Sequence, residues 1–235
     1  MAHNLASKRW FVFALMLLMV QLRCLADVLR IVQPSTREIL INGRSVTVDK
    51  GISLPIAISL YQILPPQAQK GAQPSIYHIP GFAAFYAVTA SSRTEDGLAL
   101  YVFEQKGETF REVFSGRGAD DSYFLRPTFF AGRDRTLIMT ETGDESGTWG
   151  LDAYEITSEK VAYVGNLDAA RSNPEKADCW SNPIADAKVE FVKKTYIIQL
   201  RGEIYLHPGG TDQKKLSGLG WHTFVLEQAH FVPRP

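Results

Sequence analysis

The sequence predicts an all-β domain built from repeated antiparallel meanders, and three observations carry that expectation. Beyond residue 26 no long run places apolar residues at helical spacing. Tyr, Phe, Val, Ile and Thr cluster instead in alternating runs such as 98–103 and 189–192, a composition suited to a half-buried pleated surface. Between such runs lie short segments rich in Gly, Pro, Asn, Asp and Ser, which turn the chain back on itself.

Residues 1–26 stand apart from that pattern. Lys8 and Arg9 precede an unbroken apolar run over 10–20, and Cys24-Leu25-Ala26 sets small side chains just ahead of Asp27. This is the layout of a cleaved secretory signal, which predicts an exported protein, periplasmic or extracellular. A membrane anchor needs about 20 apolar residues, and Gln21 and Arg23 interrupt the run before that length. Arg23 also occupies the position that lipidation of Cys24 requires to be small.

The remaining 27–235 is expected to form a single domain with no membrane span, large enough to bury about 70% of its unfolded surface. Removing Lys8, Arg9 and Arg23 from 25 basic residues leaves 22 against 25 acidic ones, a formal charge of −3. With no basic tract to follow a phosphate backbone, nucleic acid is excluded as the expected partner. Cys179 is then the lone cysteine and has no partner within the chain.

Taken in order, the elements begin with a hairpin over 38–48. Its Asn42-Gly43 supplies the positive φ angles that a two-residue type I′ turn demands. The apolar run 51–64 fits a strand or a short helix, with Pro55 near a helix start and Pro65-Pro66 as a stop. Polar residues 67–75 read as a loop, and 77–82 as a strand edge broken by Pro80-Gly81.

A repeated order follows: strand, glycine loop, tyrosine strand, turn, strand. It opens at Phe85, Leu137 and Tyr196, and the tyrosines are Tyr101, Tyr154 and Tyr205. Units over 37–65, 85–116, 136–168 and 195–231 define a β-propeller-like reading with three or four blades. A β-sandwich or a barrel is the alternative, because any meander of short strands aligns with itself. The last run, 221–232, is a strand awaiting a partner.

The stretch 141–152 is read as an acidic, glycine-bearing loop. Glu141, Asp144, Glu145 and Asp152 are its candidate catalytic acids, and Asp144, Glu145 and Asp152 its candidate calcium ligands, since calcium takes six to eight oxygens. A carboxylate pair in such a loop would suit hydrolysis of an envelope polymer. Glu95-Asp96 and Asp120-Asp121 occupy corresponding positions elsewhere and read as ordinary polar loops. His78, His207, His222 and His230 lack the spacing of a zinc site, and no nucleophile motif accompanies them. No cofactor is expected.

Tyr123, Trp149, Trp180 and Trp221 are candidate binding-surface residues, because such rings offer rigid area with a polar tip. The expectation is therefore a non-catalytic binding protein of the inhibitor, immunity or envelope accessory type, recognising a protein or an envelope glycan. The alternative is a hydrolase working through the acids of 141–152.

Overall fold

The described residues of the computed structural model are 26–93, 97–116, 127–144, 147–172 and 179–235, with side chains at all of these except 143, 144 and 147–149. The expected leader up to Leu25, Glu95, Asp96, Asp120, Asp121, Tyr123 and Glu145 lie outside them, as do the side chains of Asp144 and Trp149.

Strand dominates, and nine strands close into a barrel. Around its wall run β1 (Asp27–Val32), β8 (Pro127–Ala131), β9 (Arg135–Asp144), β10 (Gly147–Thr157), β11 (Val161–Leu167), β19 (His230–Arg234), β18 (Trp221–Glu227), β15 (Thr195–Arg201) and β14 (Lys188–Val192), which returns to β1. All these neighbours are antiparallel except β11 and β19, which meet through one parallel pair, Asn166↔His230. The Asn166 amide donates to the Ala229 carbonyl at 3.0 Å there. Gly165 permits the approach, because a Cβ on it would stand 2.8 Å from that carbonyl.

β1 joins two halves that are remote in sequence. Its first residues pair with β14 (Asp27↔Phe191) and its last with β8 (Val32↔Phe129). The Asp27 carboxylate also accepts the Arg133 amide at 3.2 Å and so ties down the turn between β8 and β9.

Alternation along each strand fills the barrel. Leu137 and Met139, Leu151 and Ala153, Tyr196, Ile198 and Leu200, and Phe224 point inward and pack on one another. One end is polar. Glu155 points inward there and accepts the Arg135 guanidinium at 2.9 Å and the Tyr196 hydroxyl at 2.7 Å, while Arg135 lies 3.7 Å over the Phe191 ring.

A separate six-stranded sheet contains β2 (Thr36–Ile41), β3 (Arg44–Asp49), β4 (Ser75–His78), β5 (Phe85–Ser91), β6 (Leu98–Lys106) and β7 (Thr109–Ser115), in that order. The expected hairpin turn is present, with Asn42 and Gly43 at φ 52° and 78°. The run 51–64 resolves to helix α1 (Leu54–Ile63), because Ala57, Leu60 and Tyr61 bury one helical face against the sheet. The loop expected over 67–75 is corrected in part. Pro66 begins a short helix α2 (Pro66–Lys70), whose Ala68 is buried in the same cluster.

This sheet is covered on both faces. Val88, Tyr101 and Phe103 face the helices, while Ala87, Leu100 and Val102 face the barrel and meet Phe129, Ile138, Tyr154 and Ile156 of its outer wall. The barrel alternative thus fits. Separate blades are not seen among the described residues, where the first two repeat units share one sheet through the parallel pairing of β3 with β4. The last two units are joined into one ladder by β1 and β14 and by the contact of β11 with β19. The run at 221–227 finds its partners in β15 and β19.

A four-stranded branch leaves the barrel at β10. It comprises β13 (Trp180–Ser181), β12 (Ala169–Ser172), β16 (Ile204–Leu206) and β17 (Lys214–Leu216).

Candidate functional site

Of the acids singled out in the sequence, Glu141 and Asp152 have described side chains, and these two lie on opposite sides of the barrel wall. The expected loop over 141–152 is largely strand, since β9 and β10 pair as far as Asp144↔Gly147, with a bulge between Thr148 and Gly150. Gly150 serves close approach rather than loop freedom, because a Cβ there would stand 3.1 Å from the Leu167 carbonyl. Glu141 lies opposite Leu151 and shares the inward side of Leu137 and Met139, and Asn182 donates to it at 2.6 Å.

Asp152 lies opposite Thr140 and points outward. Its carboxylate accepts Asn166 at 3.1 Å and Tyr163 at 3.4 Å, and burial raises its pKa above the ordinary carboxylate range. The barrel wall therefore separates Glu141 from Asp152, and these two cannot flank one glycosidic bond. Among the described residues no group of three or more His, Cys, Asp or Glu is placed to hold a metal ion.

The aromatic candidates separate as well. Trp221 is 40% exposed on the barrel wall with the Lys188 ammonium 4.1 Å over its ring. Trp180 sits on the branch sheet. The register puts Tyr205 opposite Ala170, and Ser172 opposite Trp180, so Tyr205, Ala170, Ser172 and Trp180 share one face. The opposite face is core, with Ala169, Ile204 and Leu206 packed into the barrel cluster.

The Trp180 and Tyr205 rings are 5.1 Å apart and inclined at 54°, both half-buried. Lys215, opposite Tyr205, pairs with Glu203 at 2.6 Å, and the Tyr205 hydroxyl donates to Glu203 at 2.6 Å. Beside them His207 Nδ1 lies 2.5 Å from the Asp168 carboxylate, both side chains about half exposed. His207 has φ 50°, a left-handed conformation that costs a residue with a Cβ free energy. The following Gly209 passes Trp180, its Cβ position 3.8 Å from the indole nitrogen.

The result is an apolar floor of two rings with a rim of hydroxyl, carboxylate, ammonium and imidazole groups. The sequence singled out Trp180 as a candidate surface ring and Tyr205 as a repeat tyrosine. It missed Asp168 with His207, because 39 residues separate them and only the pairing of β12 with β16 brings them together. No protein-family model, no curated protein and no solved structure matches the chain.

Proposed function

We propose that the chain is exported to the periplasm or cell exterior and acts there as a non-catalytic binding protein, recognising an envelope glycan on the Trp180–Tyr205 face. The observation that carries this reading is the pair of inclined rings, 5.1 Å apart, on the outward side of the branch sheet. The C–H faces of a pyranose ring are apolar and pack on aromatic rings, while its hydroxyl edge needs donors and acceptors in reach. Ser172, Lys215, Glu203 and His207 supply these, with the Glu203 carboxylate paired to the Lys215 ammonium.

The test is calorimetric titration of the purified protein with soluble oligosaccharides released from the envelope of the producing cell. Trp180→Ala and Tyr205→Ala each weaken binding about tenfold or more while the melting temperature holds. Absence of binding to every such saccharide, or an affinity in Trp180→Ala equal to the parent's, refutes the reading. Binding that disappears when the envelope fraction is first treated with protease assigns the surface to a protein ligand instead.

A further inference from the structure

Half of the barrel wall is covered by the six-stranded sheet; the other half carries different chemistry. On β1, β14, β15, β18 and β19 the outward residues form cross-strand rows. One row is Val28, Glu190, Ile197, Val225 and Val232. None of its four apolar side chains joins a core cluster, and Val28 is 60% exposed. The next row brings Lys188, Gln199, Thr223 and Arg234 together, and beyond it Arg201 faces Trp221.

The Trp221 end of this wall combines three features. First, Leu219 is 92% exposed, the highest exposure of any large apolar side chain described, at the tip of a turn flanked by Gly218 and Gly220. The Gly202 amide donates to the Gly220 carbonyl at 2.9 Å and holds that turn against the end of β15. Second, Trp221 lies beside it with Lys188 over its ring.

Third, cations predominate there, the neighbouring carboxylates Asp186 and Glu203 being paired with Arg171 and Lys215. Arg30, Lys188 and Arg201 make no salt bridge among the described residues, and Arg30 lies one residue past the last β1–β14 pair. The outward carboxylates stand further along the wall. Glu190 is in the apolar row, and Glu227 is bonded to Arg234. The cations are thus concentrated on a stretch, 27–235, whose formal charge is −3.

We infer that this end of the wall docks on an anionic lipid surface, with Leu219 and Trp221 entering the headgroup layer and Lys188, Arg201 and Arg30 set against lipid phosphates. A soft headgroup layer accepts a projecting leucine anywhere, whereas a folded protein partner needs a matching hole. Tryptophan is at home at that depth because its ring is apolar and its N–H polar. Basic residues near an anionic leaflet each add attraction that salt screens. Because 27–235 as a whole is acidic, attraction depends on these few cations.

The experiment measures quenching of Trp221 fluorescence by vesicles of brominated phosphatidylglycerol, taken as the difference between the full-length protein and its Trp221→Phe variant. This readout ignores any attachment through the apolar run at 10–20. Trp221 is expected to be quenched by phosphatidylglycerol vesicles and not by phosphatidylcholine vesicles, with quenching lost as salt rises. Leu219→Asp, and the pair Lys188→Glu with Arg201→Glu, each lower vesicle partitioning about tenfold or more, with unchanged thermal unfolding as the check on folding.

An unquenched Trp221 overturns the inference, as does equal partitioning of Leu219→Asp or equal binding to neutral lipid. A Trp221 signal that responds to soluble polyglutamate and not to vesicles also overturns it and assigns the patch to an acidic protein.

Discussion

Arg135 and Glu155 form an ion pair inside one end of the barrel, and replacing Arg135 with Met tests whether that polar end holds the barrel shut. Their side chains are 16% and 9% exposed, so the pair is largely out of water. Breaking a buried pair by removing one partner costs about 3–5 kcal/mol, because the remaining charge is stranded. Tyr196 continues to donate to Glu155, and Lys160 stands 3.6 Å away but is 62% exposed, so partial compensation puts the expected loss near the lower figure, about 3 kcal/mol. For a chain of this size that corresponds to a melting temperature lower by about 6–12 °C. Calorimetric unfolding at neutral pH is the assay. The double variant Arg135→Met with Glu155→Leu should recover most of the loss, since a packed apolar pair of similar volume is often as stable as a buried ion pair. A drop under about 1 kcal/mol for Arg135→Met alone, or no recovery in the double variant, refutes the reasoning.

Three further outcomes follow from the same geometry. Burial raises the phenol pKa of Tyr154 and Tyr196 well above the ordinary value, and that of Tyr163 to about 12. A raised folded pKa gives stability that is complete below the ordinary tyrosine value of about 10 and lost as pH climbs through the folded values. Absorbance at 295 nm should therefore show these phenols ionising only in a late step that coincides with unfolding, and complete ionisation of all nine tyrosines in folded protein near pH 10.5 contradicts this. Burial likewise raises the Asp152 carboxyl, so its contribution to stability is present below the ordinary carboxylate range and lost as pH rises through its folded value. Asp152→Asn should accordingly raise the urea midpoint at neutral pH, with the advantage fading in acid, and a lower midpoint at neutral pH counts against it. Gly165→Ala forces a Cβ to 2.6 Å from Leu226 and 2.8 Å from the Ala229 backbone, so it should cost about 1–3 kcal/mol and speed hydrogen exchange of the Asn166 amide. Unchanged exchange there would mean that β11 and β19 do not close the barrel through this contact.

Candidate residues were legible in the sequence as residue types, less so as a site. Trp180 was visible because an aromatic ring beside polar loop residues is a surface signal, and the structure places it next to Tyr205. The stretch 141–152 read as a loop where the structure has strand, for a definable reason. Glycines among carboxylates read as loop, yet Gly150 is required where β11 crosses close to β10, and strand alternation sends Glu141 inward and Asp152 outward. Glu155 gave no signal, since a charge on an alternating strand reads as solvent-facing until its phase with inward Leu151 and Ala153 and the cation at Arg135 are known.

Local pattern was enough to establish that the chain is all-β, that Asn42-Gly43 turns a hairpin, and that 136–168 folds as three consecutive strands. These depend on φ preferences and on a two-residue side-chain period, which act between near neighbours. Closure into a barrel, the covering of one half of its wall, and the meeting of Asp168 with His207 rest on pairings such as Asp27↔Phe191 and Asn166↔His230. Every exposed strand edge offers the same row of N–H and C=O groups, so partner choice is settled only when the whole chain competes to bury its apolar faces at once.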